Sequence, residues 1–176
     1  MGIKELIKNI EQWGRDRELD KKGTVKGQQV KTAEEMAELI IGISKDNIEV
    51  IKDSIGDVIV TLIIGNMIDK KYDFKEIFEK AFSDFERLEK SFIDLEKIQV
   101  IESLTSHLLL IERYAYSYDL YLGNIIYSLI RISDIYKLEI KDCLAAAYKE
   151  IAGRKGRMVN GTFVKEEDLQ GEDNWG

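Results

Sequence analysis

Proline is missing altogether from this chain of 176 residues, and cysteine and histidine occur once each. So complete a lack of proline removes the strongest helix breaker and a common turn former, and it points to long uninterrupted helices. Cys143 has no partner for an internal disulfide, which suits a reducing compartment. His107 has no acid three residues before it, which excludes the Glu-x-x-His pairs of a di-iron bundle and leaves it as an ordinary helix residue. Glycine-rich phosphate loops, dinucleotide fingerprints, CxxC pairs and a Ser-His-Asp set are also absent. Apolar runs of membrane-spanning length are missing too: DVIVTLIIGNMI (57–68) is too short and too closely flanked by charge. The beginning, MGIKELIKNIEQWGRDREL, carries charges every few residues, unlike a signal peptide. A net charge of −7 argues against a nucleic-acid polymer as partner. The expectation is a cytoplasmic protein, without a membrane partner, acting on something small.

What is present is helical periodicity almost throughout, in a composition 44% hydrophobic and 34% charged. It predicts a single all-α domain over 1–176, a helical bundle with helices near 3–18, 26–44, 46–68, 74–91, 95–116, 119–136 and 140–153. Breaks are expected at Gly23 and Gly27, around Gly42, at Lys70 to Asp73, and at Gly153. Beyond Gly156, the Asn160-Gly161 pair predicts a turn between two short extended pieces, followed by a frayed acidic end. Laid on itself, the chain shows an internal repeat. IGDVIVTLIIGNMIDK (55–70) aligns with LGNIIYSLIRISDIYK (122–137), and FKEIFEKAFSDF (74–85) with IKDCLAAAYKEI (140–151). This implies a first half near 26–91, a second near 95–157 and a C-terminal extension over 158–176. Asp57 of the first copy is replaced by Asn124 in the second.

The chemistry lies in the first copy. Glu35 and Glu38 are three residues apart and Asp53 and Asp57 four apart, so each pair projects from one side of its helix. If the two helices pack antiparallel, the pairs converge, and such a carboxylate cluster repels itself unless a cation sits among it. Hard oxygen ligands select Mg²⁺, Mn²⁺ or Ca²⁺. Most acidic clusters are solvated helix faces, and Glu34 beside Lys31 fits that description. Asp57 does not: it stands in a segment apolar nearly all round, where an unpaired carboxylate would cost several kcal/mol.

KTAEEMAEL (31–39) followed by IKDSIGDVIVTL (51–62) resembles the MazG-like, all-α nucleoside triphosphate pyrophosphohydrolases, particularly the short forms of phages and Gram-positive bacteria. The resemblance covers about 7–70 and 137–168, and reappears in LAAAYKEIAGRKGRMVNGTFVKEED. It implies a Glu-x-x-Glu and a Glu-x-x-Asp motif holding Mg²⁺, with Mn²⁺ as a substitute. Glu35, Glu38 and Asp57 match these motifs, but Ser54 stands where the family has Glu. Either Asp53 supplies the missing carboxylate, or the site works through Ser54 or water with fewer ions. It further implies hydrolysis of a (d)NTP to (d)NMP and pyrophosphate, with Glu35 or Glu38 activating water. Arg154, Lys155 and Arg157 in GRKGRM, with Lys31, are the candidate phosphate contacts, although a cationic helix C-terminus alone would justify one or two of them. Trp13 is equally a candidate for stacking on the base or for the core. The acids sit in one copy and the basic tail in the other, which suggests an intramolecular pseudo-dimer sharing one site, itself in a homo-oligomer such as a dimer. The alternative is a catalytically degenerate homologue that binds nucleotide or a protein partner without turnover.

Overall fold

A computed structural model describes residues 1–88, 96–111, 118–159 and 162–166. Among the described residues there are eight helices: α1 (Ile3–Asp16), α2 (Leu19–Lys22), α3 (Val25–Ser44), α4 (Ile48–Asp69), α5 (Phe74–Leu88), α6 (Lys97–Leu110), α7 (Tyr118–Ile135) and α8 (Ile140–Ala152). A two-stranded antiparallel sheet, β1 (Gly156–Val159) and β2 (Thr162–Lys165), follows them. The protein is an all-α helical bundle, as its periodicity predicts. The expected helix extensions past 88 and over 112–116, the Asn160-Gly161 turn and the acidic end from 167 lie outside the described residues.

Caps explain where the elements begin and end. Thr24 Oγ1 accepts a hydrogen bond from the Gly27 amide at 3.1 Å and starts α3, while Asn47 Oδ1 accepts from Val50 at 3.3 Å and starts α4. A reciprocal capping box between Glu96 and Gln99 starts α6. The helix expected over 3–18 is present as α1 and ends at Asp16; Glu18, in the left-handed conformation (φ 58°), then starts the short α2, which the periodicity does not predict. Gly27 stands in the first turn of α3 and Gly42 in its last turn, so the break expected around Gly42 falls just beyond it. The break falls after Ser44, and Gly42 lets α4 approach: an added Cβ would lie 3.0 Å from Val50 Cγ1.

α4 is the centre of the molecule. It packs against α3, α8, α1, α2 and α7, and from Ser54 to Met67 only Asp57 is not fully buried. A helix apolar all round is stable only when surrounded in this way. Core side chains on α1, α3, α7 and α8, including Ile10, Leu39, Ile126 and Leu144, complete the enclosure.

The two aligned copies make reciprocal contacts. α4 packs on α8, and α5 on α7. A Cβ added at Gly56 would meet the Cys143 carbonyl oxygen at 2.4 Å, and the nearest atom to one added at the aligned Gly123 is Ile77 Cγ2 at 3.9 Å. Ile77 and Cys143 are themselves aligned positions. Lys70 and Lys137, also aligned, both end their helices in the left-handed conformation, at φ 58° and 56°.

Candidate active site

α3, α4, α8 and the hairpin enclose a cleft of about 560 Å³. The α3 wall presents Gln28, Lys31, Glu34, Glu35 and Glu38; the α4 wall presents Asp53, Asp57 and Thr61. Glu150, Arg154 and Lys165 face them from the end of the chain, and Trp13, Ile64 and Phe163 form an apolar portion. The antiparallel packing of α3 on α4 across the 45–47 connection brings the two acidic pairs to one cavity.

Carboxylate oxygens of Asp53, Asp57 and Glu150 all lie within 4.8 Å of one another. Glu35 and Glu38 border the cleft but stand outside that triad. Burial pushes the Glu35 carboxyl up to about 7, with repulsion from Asp57 and Glu38 adding to it, while Lys31 and Arg154 pull it down. Burial likewise raises Asp57 to about 6, reinforced by Asp53 and Glu150 and opposed by Arg154 and Lys165. Asp53 is raised by burial and by Glu150, against Arg154 and Lys165. Glu35 and Asp57 are therefore half-buried and repelled by the exposed Glu38, Asp53 and Glu150, in the condition that a cation relieves.

Seven of the expected residues meet here: Trp13, Lys31, Glu35, Glu38, Asp53, Asp57 and Arg154. Lys155 and Arg157 do not line the cleft; both are exposed, one beyond α8 and one in β1 opposite Val164. Of GRKGRM, then, only Arg154 contributes to the cleft, ion-paired to Glu150. Ser54 is buried at 3% exposure and is not part of the cleft lining, while Asp53, one residue earlier, faces the cavity. A helical step of about 100° separates neighbours, so only one of the two can point there. Lys31 pairs with Glu34, which also lines the cleft rather than belonging only to an outer face. Trp13 is both core and wall: it packs on the buried cluster and meets the Phe163 ring edge-on at 5.7 Å, with the Arg17 guanidinium 4.5 Å above it.

Glu150, Lys165 and Arg17 escaped the sequence reading. Glu150 carries only the local signal of an i,i+4 pair with Arg154, and Lys165 sits in FVKEED with no periodic context at all. Arg17 donates to the Arg154 carbonyl oxygen at 2.7 Å, joining α1 to the end of α8. His107 is an ordinary half-buried helix residue, its Nε2 3.0 Å from Ser128 Oγ and its pKa lowered by burial. Among the described residues, no helix is long and apolar enough to cross a membrane.

The chain matches no protein-family profile and no solved structure. It is similar to a protein of Haemophilus phage HP1 (strain HP1c1) described as an uncharacterized 18.2 kDa protein in the rep-hol intergenic region. The two are 42% identical over 78 residues, covering 44% of this chain. The chain spans 46% of that relative's length.

Proposed function

We propose that the protein is a metal-dependent nucleotide pyrophosphohydrolase, cleaving a (d)NTP to the (d)NMP and pyrophosphate in the cleft between α3, α4 and α8. The observation that carries this reading is the convergence of three carboxylates within 4.8 Å in one cavity with Glu35, Arg154 and Lys165. Three oxygen donors that repel one another, Asp57 half-buried and Asp53 and Glu150 exposed, fit a hard divalent cation such as Mg²⁺, or Mn²⁺ in its place. Asp53, Asp57 and Glu150 would hold it, with Glu35 and Glu38 on the facing wall, and the resemblance to MazG-like enzymes supports the same assignment for Glu35, Glu38 and Asp57. What the cation supplies when bound is neutralisation of phosphate charge and acidification of a water.

The chain's own part is positioning and proton transfer. Glu35, raised to about 7, is close to half ionised at neutral pH and is the group suited to take the proton of the attacking water. That water attacks phosphorus in line, the α–β anhydride bond breaks, and pyrophosphate departs with the bonding electrons. Arg154, ion-paired to Glu150 and with its carbonyl oxygen held by Arg17, adds positive charge to the phosphate side of the cleft. The apolar portion around Trp13 and Phe163 is the place for the base. The repeat then becomes an intramolecular pseudo-dimer: the first copy supplies Asp53 and Asp57, and the second supplies Glu150 and Arg154. Homodimerisation belongs to the same reading and is checked by light scattering.

The test is pyrophosphate release from a panel of canonical and modified NTPs and dNTPs, with Mg²⁺ and then Mn²⁺, beside Asp57→Ala. Metal-dependent release lost in the variant supports the enzyme. Nucleotide binding without release from any member of the panel would favour a degenerate receptor instead.

A further inference from the structure

The hairpin after α8 has no role in the acid constellation, yet one of its strands forms a wall of the cleft. In β1–β2, Gly156 stands opposite Lys165 and Arg157 opposite Val164. Side chains alternate along a strand, so Phe163 and Lys165 share a face. Phe163 is seated against Trp13, with Arg17 6.0 Å from its ring. That seating requires glycine across the hairpin: a Cβ at Gly156 would fall 2.2 Å from the Val164 carbonyl oxygen and 2.7 Å from Phe163 Cζ. With Phe163 anchored, Lys165 is carried into the cleft beside Asp53 and Asp57, both of which feel its charge. Arg154 is already engaged by Glu150, whereas Lys165 forms no ion pair within 4.0 Å among the described residues. A partly buried lysine lining the same cleft as carboxylates that themselves suit a cation is surplus once that cation is bound, and is then free for an anion.

We propose that Lys165 is the phosphate-binding lysine of the cleft and that the hairpin exists to hold it there. The identity of the anion, the polyphosphate of a nucleotide, rests on the pyrophosphohydrolase reading. The placement of an anion contact at Lys165 does not.

Calorimetric titration of the full chain with Mg²⁺ alone, and then with inorganic pyrophosphate in the presence of Mg²⁺, tests this in Lys165→Gln and Lys165→Arg. Losing one charge-assisted contact should weaken pyrophosphate binding about tenfold or more in Lys165→Gln, and far less in Lys165→Arg. Mg²⁺ alone should bind Lys165→Gln more tightly, because a like charge has left its neighbourhood. Opposite shifts for cation and anion are not what a merely structural lesion produces. Unchanged pyrophosphate binding in Lys165→Gln, or parallel loss of both ligands, overturns the proposal. Should the glutamine variant fail to fold, protection of Lys165 from acetylation by Mg²⁺-pyrophosphate in the unaltered chain is the second measurement, and absence of protection also overturns it. If the unaltered chain releases no pyrophosphate from any nucleotide while the opposite shifts persist, the enzymatic reading fails and the anion site stands.

Discussion

Arg17 and Arg154, 137 positions apart in the chain, are joined by a 2.7 Å hydrogen bond from the guanidinium of the first to the carbonyl oxygen of the second. The same guanidinium lies over the Trp13 ring. One side chain thus ties α1, the end of α8 and the aromatic part of the cleft together. Arg17→Met should lose about 1–3 kcal/mol, the usual cost of a charged hydrogen-bond partner, read as a fall in Tm of about 2–4 °C per kcal/mol. Arg17→Lys should recover little of it, because an ammonium neither stacks on the ring nor presents a planar fork.

Gly56 and Gly123 occupy aligned positions of the two copies but should respond in opposite directions to alanine. At Gly56 the new methyl would meet backbone, the Cys143 carbonyl at 2.4 Å, and helix α8 cannot move away without opening the core. Gly56→Ala should cost about 1–3 kcal/mol or more. At Gly123 the nearest atom is 3.9 Å away, an ordinary contact, so the gain in helix propensity prevails and Gly123→Ala should stabilise by about 0.5–1 kcal/mol. Thermal denaturation of the pair is the check.

Without divalent metal, Glu35 should make stability fall as pH rises. Its pKa is raised in the folded chain to about 7, so over the range between the ordinary carboxylate value and 7 the native state holds the proton that the unfolded state has lost. The proton excess lies with the native state, and the slope is therefore negative with increasing pH. Asp57, raised to about 6, acts in the same sense. Relative to Glu35→Gln, which carries no charge at any pH, the unaltered chain should match in Tm near pH 4 and fall below it by pH 8. Adding Mg²⁺ at the upper pH should stabilise both chains through Asp53, Asp57 and Glu150, and should narrow the gap between them, because the cation also offsets the Glu35 charge.

Asp57→Asn should separate stability from function. The variant removes a half-buried charge from the Asp53–Asp57–Glu150 triad, so Tm in metal-free buffer at neutral pH should rise. Turnover should fall by at least about a hundredfold, with Mg²⁺ affinity reduced in titration. A variant that keeps both metal affinity and turnover would remove Asp57 from the site.

Much was legible without coordinates, because the signals are local. The helical class follows from periodicity and the absence of proline, and Asp57 betrays itself as a charge inside an otherwise apolar helix. The alignment of IGDVIVTLIIGNMIDK with LGNIIYSLIRISDIYK pairs Lys70 with Lys137, and both residues adopt the left-handed conformation. The break expected around Gly42 falls just past it, after Ser44, while Gly42 itself serves the close approach of α4. Asp53 and Ser54, between which the motif leaves the choice open, differ in orientation: the rotation of α4 turns Asp53 to the cleft and Ser54 inward.

By itself, the sequence determined the elements, since caps, periodicity and turn residues act within a few positions of one another. Tertiary structure alone decided which residues complete the cleft. Glu150 joins Asp53 and Asp57 because α8 packs along α4, Arg17 reaches Arg154 across the whole chain, and Lys165 arrives on a strand seated by Phe163 against Trp13. Of GRKGRM, only Arg154 stays at the cavity, because the chain turns into β1 immediately after it. Such convergence depends on packing between elements far apart in sequence, and no local pattern of residues encodes it.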